Sequence, residues 1–331
     1  MKVLITREIP QVGINILRQY PQLELDYRQG PPLSEEELKK AVKDADAYIP
    51  VIPDQVNKSI LTAGKQLKVV ATYSVGYDHI DLGTATSKGI YVGNTPGDLT
   101  ESVAEHAIAL MLGVAKHIAE GDKFCRSGKF QYWDPMLYMG PKLVGKTIGI
   151  VGFGRIGQMV GKIAKYGFNM NVIYNDVMKH AEAEGLLDAE KVDMDNLLEN
   201  SDVVSLNCNL TDATHHLIGE DELKKMKPFA ILINTSRGPI INEAALATGL
   251  KEGWIAGAGL DVFENEPEIN AGLKKLNNVV LTPHTASATF EARIQMSRMV
   301  AENVVDVLIN KKPPRYLVNK ELTDNKVSSI V

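Results

Sequence analysis

Thr147-Ile-Gly-Ile-Val151 is a short apolar run that passes without a break into Gly152-Phe-Gly-Arg-Ile-Gly157, and a helical pattern follows from Gln158 to Tyr166. Strand, glycine turn and helix in immediate succession leave little choice but a βα unit. Gly152 permits the tight turn, Gly154 lets the backbone approach a pyrophosphate, and Gly157 lets the helix pack close to the strand. The helix N-terminus then offers unpaired N–H groups and a positive dipole end to phosphates. The pattern reads as a dinucleotide site, although an ordinary tight βα turn uses the same residues.

Similar units lie on either side. Lys2–Thr6, Leu23–Tyr27, Ala47–Ile52, Leu67–Thr72 and Ile90–Val92 read as strands. Helices fall between them at Val12–Tyr20, Ser34–Lys43, Gln55–Ala63 and Leu82–Lys88. Ser34-Glu-Glu-Glu37 is a capping box. Alternation of this kind implies a parallel sheet covered on both faces. Between the fourth and fifth strands, Tyr73-Ser-Val-Gly-Tyr-Asp78 follows a strand's carboxyl end, where such sheets bind ligands; a glycine turn without a ligand is the other reading.

From Thr100 a helix is expected to run to Arg126, apolar over so much of its girth that it reads as crossing between domains and meeting a second subunit. Ser127–Leu143 has no period, and its Trp133 is expected to be buried. Beyond Gly157, strands are expected at Asn171–Tyr174, Val203–Leu206, Ala230–Ile233, Ala256–Leu260 and Val279–Leu281. With Thr147–Val151 they make six, a full dinucleotide sheet. A last helix, Thr289–Ile309, and a tail from Pro313 are expected to return to the first unit.

The chain of 331 residues is long enough for two cores of about 150 residues each. A net charge of −5 without a basic cluster argues against a nucleic-acid partner. Cys125 and Cys208 suit a reducing compartment and match no metal spacing. There is no signal-like N-terminus, and the most apolar stretch is too short to span a bilayer. A cytoplasmic protein with no metal and no membrane partner is expected.

Three further clusters each follow a strand of the second sheet: Asn234-Thr-Ser-Arg-Gly238, Leu260-Asp-Val-Phe-Glu-Asn-Glu-Pro267 and Leu281-Thr-Pro-His284. Together with Val75-Gly76 and the glycine motif they resemble the D-isomer-specific 2-hydroxyacid dehydrogenases, most of all the glyoxylate/hydroxypyruvate reductases, over Lys2 to about Glu321. The resemblance implies two Rossmann-like doubly wound parallel-sheet domains separated by a cleft. Residues 1–99 and 286–331 would form a discontinuous substrate domain, and 100–285 an NAD(P)-binding domain. It implies hydride transfer from NAD(P)H to glyoxylate or hydroxypyruvate, reversibly giving glycolate or D-glycerate, in a homodimer. A D-lactate-type dehydrogenase and a non-catalytic NAD sensor are the alternatives.

The implied roles make chemical sense. Arg237 would meet the substrate carboxylate with two parallel bonds. His284 would protonate the 2-keto oxygen, and Glu266 would hold the other imidazole nitrogen and favour the protonated ring. Val75 and Gly76 would add backbone N–H groups to the carboxylate. Asp261 would sit beside the nicotinamide carboxamide, with Thr100, Arg155, Ile156, Asn175, Asn207 and Thr235 also around the cofactor. His106, His215 and His216 read as structural.

Two places depart from the family pattern. An acid about twenty positions beyond the glycines binds the adenosine ribose and disfavours a 2′-phosphate; here it is Asp176, with Asn175 where relatives more often carry it. Lys179 and His180 read as too far along to clamp a phosphate, so NAD is favoured over NADP. Asn207 and Asn209 stand where relatives often have His and Pro. Trp133 would restrict the keto acid from the neighbouring subunit, or else pack in a dimer interface without touching substrate.

Overall fold

Lys2-Val-Leu-Ile5 forms β1, three of whose four residues are buried, as an interior strand of a parallel sheet requires. In this computed structural model, residues 1–97 and 99–323 are described. They form two units, one within Met1–Asp98 and Ala288–Val331, the other within Leu99–Ser287. In the first, β1 lies between β2 (Glu24–Tyr27) and β3 (Ala47–Ile49), followed by β4 (Val69–Ala71) and β5 (Tyr91–Gly93), all parallel. The order 2-1-3-4-5 is a doubly wound sheet. Its crossovers are α1 (Gln11–Arg18), α2 (Glu35–Val42), α3 (Lys58–Ala63) and α4 (Leu82–Ser87).

The helix starts follow side-chain chemistry. The Ser34 capping box is formed, the Ser34 N–H donating to Glu37 Oε2 at 2.8 Å. The third helix begins at Lys58 instead of Gln55, because the Asn57 side chain caps the N–H groups of Ser59 and Ile60. Under the sheet, the carboxylate of Asp54 is fully buried and accepts from Thr6 Oγ1, from the Tyr48 hydroxyl at 3.0 Å and from Arg7 Nη2 at 3.1 Å. Burial, then the Asp54 charge, pushes the Tyr48 phenol well above its ordinary pKa, so this tyrosine stays a donor.

The second unit opens with α5 (Thr100–Ala115) and α6 (Ile118–Arg126), where one continuous helix was expected. The chain passes through His117 in the left-handed region, φ 51. Gly140 passes so close over the end of α5 that a Cβ there would lie 2.0 Å from the Ala115 carbonyl oxygen. The apolar girth of α5 is largely used within its own unit, since Ala104, Ala107, Leu110, Met111 and Val114 join one core with Ile148, Ile150, Val172, Val203 and Ile231. Trp133 is 79% exposed in the single chain, contrary to the expected burial.

Then come β6 (Thr147–Val151), α7 (Arg155–Phe168), β7 (Asn171–Asn175), α8 (Ala181–Leu187), β8 (Ala189–Lys191), α9 (Met194–Asn200) and β9 (Val203–Leu206). The unit ends with α10 (Glu220–Lys225), β10 (Ile231–Asn234), α11 (Glu243–Glu252), β11 (Gly257–Leu260) and β12 (Val279–Leu281). The sheet has seven parallel strands in the order β12-β11-β10-β9-β6-β7-β8. The strand missed in the sequence is β8, a three-residue edge with two exposed members and no apolar run. Counted from β6, the order becomes 3-2-1-4-5-6 with β12 added beyond it, the dinucleotide-binding arrangement, and its switch point lies between β6 and β9.

Alternate residues of these strands feed separate cores. Val203, Ile231 and Ile233 pack with α5 and α7, whereas Val204, Leu206, Leu232 and Leu260 pack with α9, α10 and α11. The chain then re-enters the first unit through α12 (Phe290–Leu308), which packs on α1; there Ser297 Oγ donates to the Pro10 carbonyl at 2.6 Å and accepts from the Gly13 N–H. Residues beyond it pair with β5, Val318 N donating to Val92 O.

Gly149, in the middle of β6, tests how closely α9 must approach. A Cβ there would lie 2.1 Å from Ser201 Oγ and 2.7 Å from Leu197 Cδ2. Gly149→Ala is expected to cost about 1–3 kcal/mol by overpacking, read as a lower thermal midpoint; an unchanged midpoint would contradict the packing argument.

Candidate active site

The carboxyl ends of β10, β11 and β12 lie side by side, and each carries one residue of the expected triad. Arg237 follows β10 in extended backbone, φ −141 and ψ 140, with Nη1 donating to Ser236 O at 2.8 Å. The loop that carries it is pressed against the loop after β11: a Cβ on Gly238 would sit 1.8 Å from the Phe263 carbonyl carbon. No side chain fits between them, so Gly238 is obligatory.

The loop after β11 is pinned by carboxylates. Glu243 is buried and accepts from the Glu264 N–H at 2.6 Å, while Glu264 accepts in return from the Glu243 N–H at 3.0 Å. His216 Nε2 meets Glu264 Oε1 at 2.5 Å. On this frame Glu266 uses one oxygen to accept from the Phe263 N–H at 3.0 Å and the other to accept from His284 Nδ1 at 2.8 Å. An ionised carboxylate only accepts, so Nδ1 carries the proton and Nε2 is left for chemistry. Glu266 and His284 are thus brought together as the sequence suggested; both keep partial exposure, 24% and 31%.

Asp261 does more than the sequence reading gave it. Its side chain is fully buried, and its oxygens accept from Thr282 Oγ1 at 2.6 Å, Thr285 N at 2.8 Å and Ala286 N at 2.8 Å. Burial alone would raise its pKa, but His106, Thr282 and these backbone donors together hold it below the usual carboxylate value. The first task of Asp261 is therefore to hold the segment that contains His284.

The glycine motif behaves as its spacing implied. Gly152 has φ +87, and a Cβ there would meet Cys208 N at 2.6 Å. A Cβ on Gly157 would strike the Gly152 carbonyl, whereas Gly154 faces open space. The N-cap of α7 is Gly154, which has no side chain to offer, and among the described residues no side-chain bond caps its first turn. Asn207 Oδ1 and Thr235 Oγ1, each in the first residue after its strand, are buried without a partner among the described residues. Uncapped helix N–H groups, room at Gly154 and orphaned polar atoms around the switch point fit a dinucleotide, which can satisfy all three.

At the end of β7, Asp176 accepts from the Phe153 N–H at 2.6 Å and the Met178 N–H at 2.9 Å, tying that strand to the glycine loop. Burial would raise its pKa; the Met178 and Phe153 N–H groups, then His180, hold it lower than an ordinary aspartate. Asn175 turns its side chain away to the Val192 carbonyl. His180 proves nearer than its place in the sequence suggested, with Nε2 3.5 Å from Asp176 Oδ2. Lys179 pairs with Glu184 instead.

In the first unit, Val75 and Gly76 follow β4. The carbonyls of Ser74, Val75 and Gly76 accept from Thr95 N, Asn94 Nδ2 and Ser74 Oγ, while among the described residues no acceptor meets the Val75 or Gly76 N–H. A segment whose carbonyls are taken and whose N–H groups are open suits an anion. Among the described residues there is no cluster of three or more potential metal ligands, and no helix is long and apolar enough to cross a membrane.

Residues 108–286 match the profile of the D-isomer specific 2-hydroxyacid dehydrogenase, NAD binding domain. The glyoxylate reductase of Thermococcus litoralis is 50% identical over 326 residues, which cover 97% of both chains. Among solved structures, the TT0316 protein of Thermus thermophilus superposes with a TM-score of 0.90 at 40% identity, covering 96% of this chain and all of that one. A glyoxylate reductase from Paecilomyes thermophila gives 0.84 at 30% identity, covering 97% and 99%.

The buried anchor of the His284 segment yields a pH-dependent expectation. Asp261→Asn replaces an acceptor-only group with one that can donate, and is expected to cost about 1–3 kcal/mol at pH 7. Because the folded pKa is depressed, the wild-type advantage is complete above the unfolded value of about 3.9 and fades as pH falls through the lower folded value. Thermal midpoints of the two proteins at pH 7 and near pH 3.5 check this; a gap that widens in acid would contradict it.

Proposed function

The chain belongs to the D-isomer-specific 2-hydroxyacid dehydrogenase family, and from that premise we propose that it reduces glyoxylate to glycolate, and hydroxypyruvate to D-glycerate, with NADH. The observation that carries the reading is the 2.8 Å bond between Glu266 and His284 Nδ1, on a sheet edge that also presents Arg237. The second unit is the cofactor domain in this reading, and the open Val75 and Gly76 N–H groups of the first suit a carboxylate.

The glycine loop, the first turn of α7, Asn207, Thr235 and Asp176 are the residues that would hold the cofactor, which would supply the hydride. Arg237 binds the carboxylate and leaves the 2-keto group as the reacting end. His284 gives the Nε2 proton to the keto oxygen, and Glu266 keeps Nδ1 engaged, so that one nitrogen alone exchanges protons. One hydride and one proton convert the 2-oxo carbonyl to the alcohol, and the reverse reaction returns the proton to Nε2. Asp176, ionised and pressed against the glycine loop, repels a 2′-phosphate, which supports NAD over NADP.

Arg237→Ala and His284→Ala are each expected to lower kcat/KM for glyoxylate by about 10²–10⁴ while NADH still binds, measured by nucleotide fluorescence. Near-normal turnover in either variant would remove the role assigned to it. A panel of glyoxylate, hydroxypyruvate and pyruvate with NADH and NADPH tests the rest: a higher rate on pyruvate, or tighter binding of NADPH, would overturn the corresponding choice.

The protein acts as a homodimer in this reading. Phe130, Tyr132, Trp133, Met136 and Met139 are 59–79% exposed along one loop, large apolar side chains that a second copy would cover. Sedimentation equilibrium is expected to give twice the chain mass, and Trp133→Ala to weaken association or relax keto-acid selectivity. A monomer at micromolar concentration would rule this out.

A further inference from the structure

His106 lies on α5, far in sequence from every residue assigned a role in the chemistry, and its side chain is 21% exposed. Its Nε2 is 3.0 Å from Thr282 Oγ1 and 3.3 Å from Asp261 Oδ1. Thr282 already donates its hydroxyl proton to Asp261 Oδ1 at 2.6 Å, so its oxygen is the acceptor and His106 the donor. The tautomer with the proton on Nε2 follows from those two bonds.

What these bonds hold is the segment from Thr282 to Ala286. Asp261 receives Thr282 at one end of it, and Thr285 and Ala286 at the other. Between them His284 has φ 55, a conformation that a residue with a side chain keeps only when its surroundings compel it. Its own N–H is directed at the Asp261 and Thr282 carbonyls, at 2.9 and 3.1 Å. Loss of the His106 donor leaves the Thr282 oxygen without its partner and removes one of the donors around a fully buried carboxylate. The Thr282 end of the segment then keeps only its own bonds to the Asp261 carboxylate and the Leu260 carbonyl.

We propose that His106 is a positioning residue for the reaction: through Thr282 and Asp261 it sets where the His284 imidazole stands when the keto oxygen is protonated. The proposal rests on the assignment of His284 as the proton donor. It gives the helix at the start of the cofactor-binding unit an indirect hold on the proton-transfer step, by way of Thr282 and Asp261.

Two substitutions in the full chain separate this from simple packing. His106→Leu keeps bulk but has no donor, and is expected to lower kcat by about ten- to a hundred-fold, with KM for glyoxylate and affinity for NADH nearly unchanged and the acid limb of the pH–rate profile displaced. His106→Gln, whose amide N–H can reach the Thr282 oxygen, is expected to restore most of the rate and the normal profile. A Leu variant with wild-type kcat and pH profile overturns the proposal, as do Leu and Gln variants that lose activity equally. If the Leu variant fails to fold, Thr282→Val cuts the same link from the other side and is read by the same measures. His284→Ala serves as the separate control: an active His284→Ala enzyme defeats the parent assignment, whereas an inactive one beside a normal His106→Leu defeats this inference alone.

Discussion

Parallel pairing obliges the chain to re-enter each strand of the second sheet from the same end, so that every strand delivers its last residue to one edge. That constraint puts the glycine turn after β6, Asn207 after β9, Thr235 and Arg237 after β10, Glu266 after β11 and His284 after β12 along a single line. Residues far apart in the chain become neighbours through backbone hydrogen bonding alone. The sheet therefore specifies the order of the chemical groups, and their side chains need only settle the final ångström.

Small residues settle much of that distance. Gly238 lets the Arg237 loop touch the Phe263 backbone, while Gly257 and Gly259 let β11 lie against Val114 and Leu110 of α5, where a Cβ would come within 2.6 and 2.9 Å of those side chains. The same close approach of α5 brings His106 within reach of Thr282. Compact backbone packing and the placement of polar groups are one phenomenon here: a bulkier residue on β11 would push away the helix that carries a hydrogen-bond donor to the active loop.

The features legible in the sequence were those with a local signature. The glycine motif, the interior strands and the Ser34 capping box each announce themselves within a short stretch of chain, whereas Arg237, Glu266 and His284 stand out only in combination, through the family resemblance. What escaped was set by contacts distant in the chain. The helix breaks at His117, where Gly140, distant in the chain, packs against the Ala115 carbonyl, and no residue near His117 signals a stop. The edge strand β8 is Ala-Glu-Lys, held by pairing with β7 and not by an apolar pattern. His106 read as structural because its partners, Asp261 and Thr282, arrive only when the sheet is assembled. Trp133 was expected inside because an aromatic in an aperiodic loop needs cover, and the single chain gives it little.

The division of the chain also bears on the order in which the protein can be made. The second unit is one uninterrupted stretch, complete once Ser287 has emerged, whereas the first needs both ends of the chain. Until α12 is synthesised, α1 lacks the helix that it packs on, and Gly13 lacks the Ser297 hydroxyl that meets its N–H. The earliest-made sheet is thus the last to be finished. It waits with one apolar face uncovered while the nucleotide-binding part folds, which places the period of greatest aggregation risk during translation at the N-terminal end.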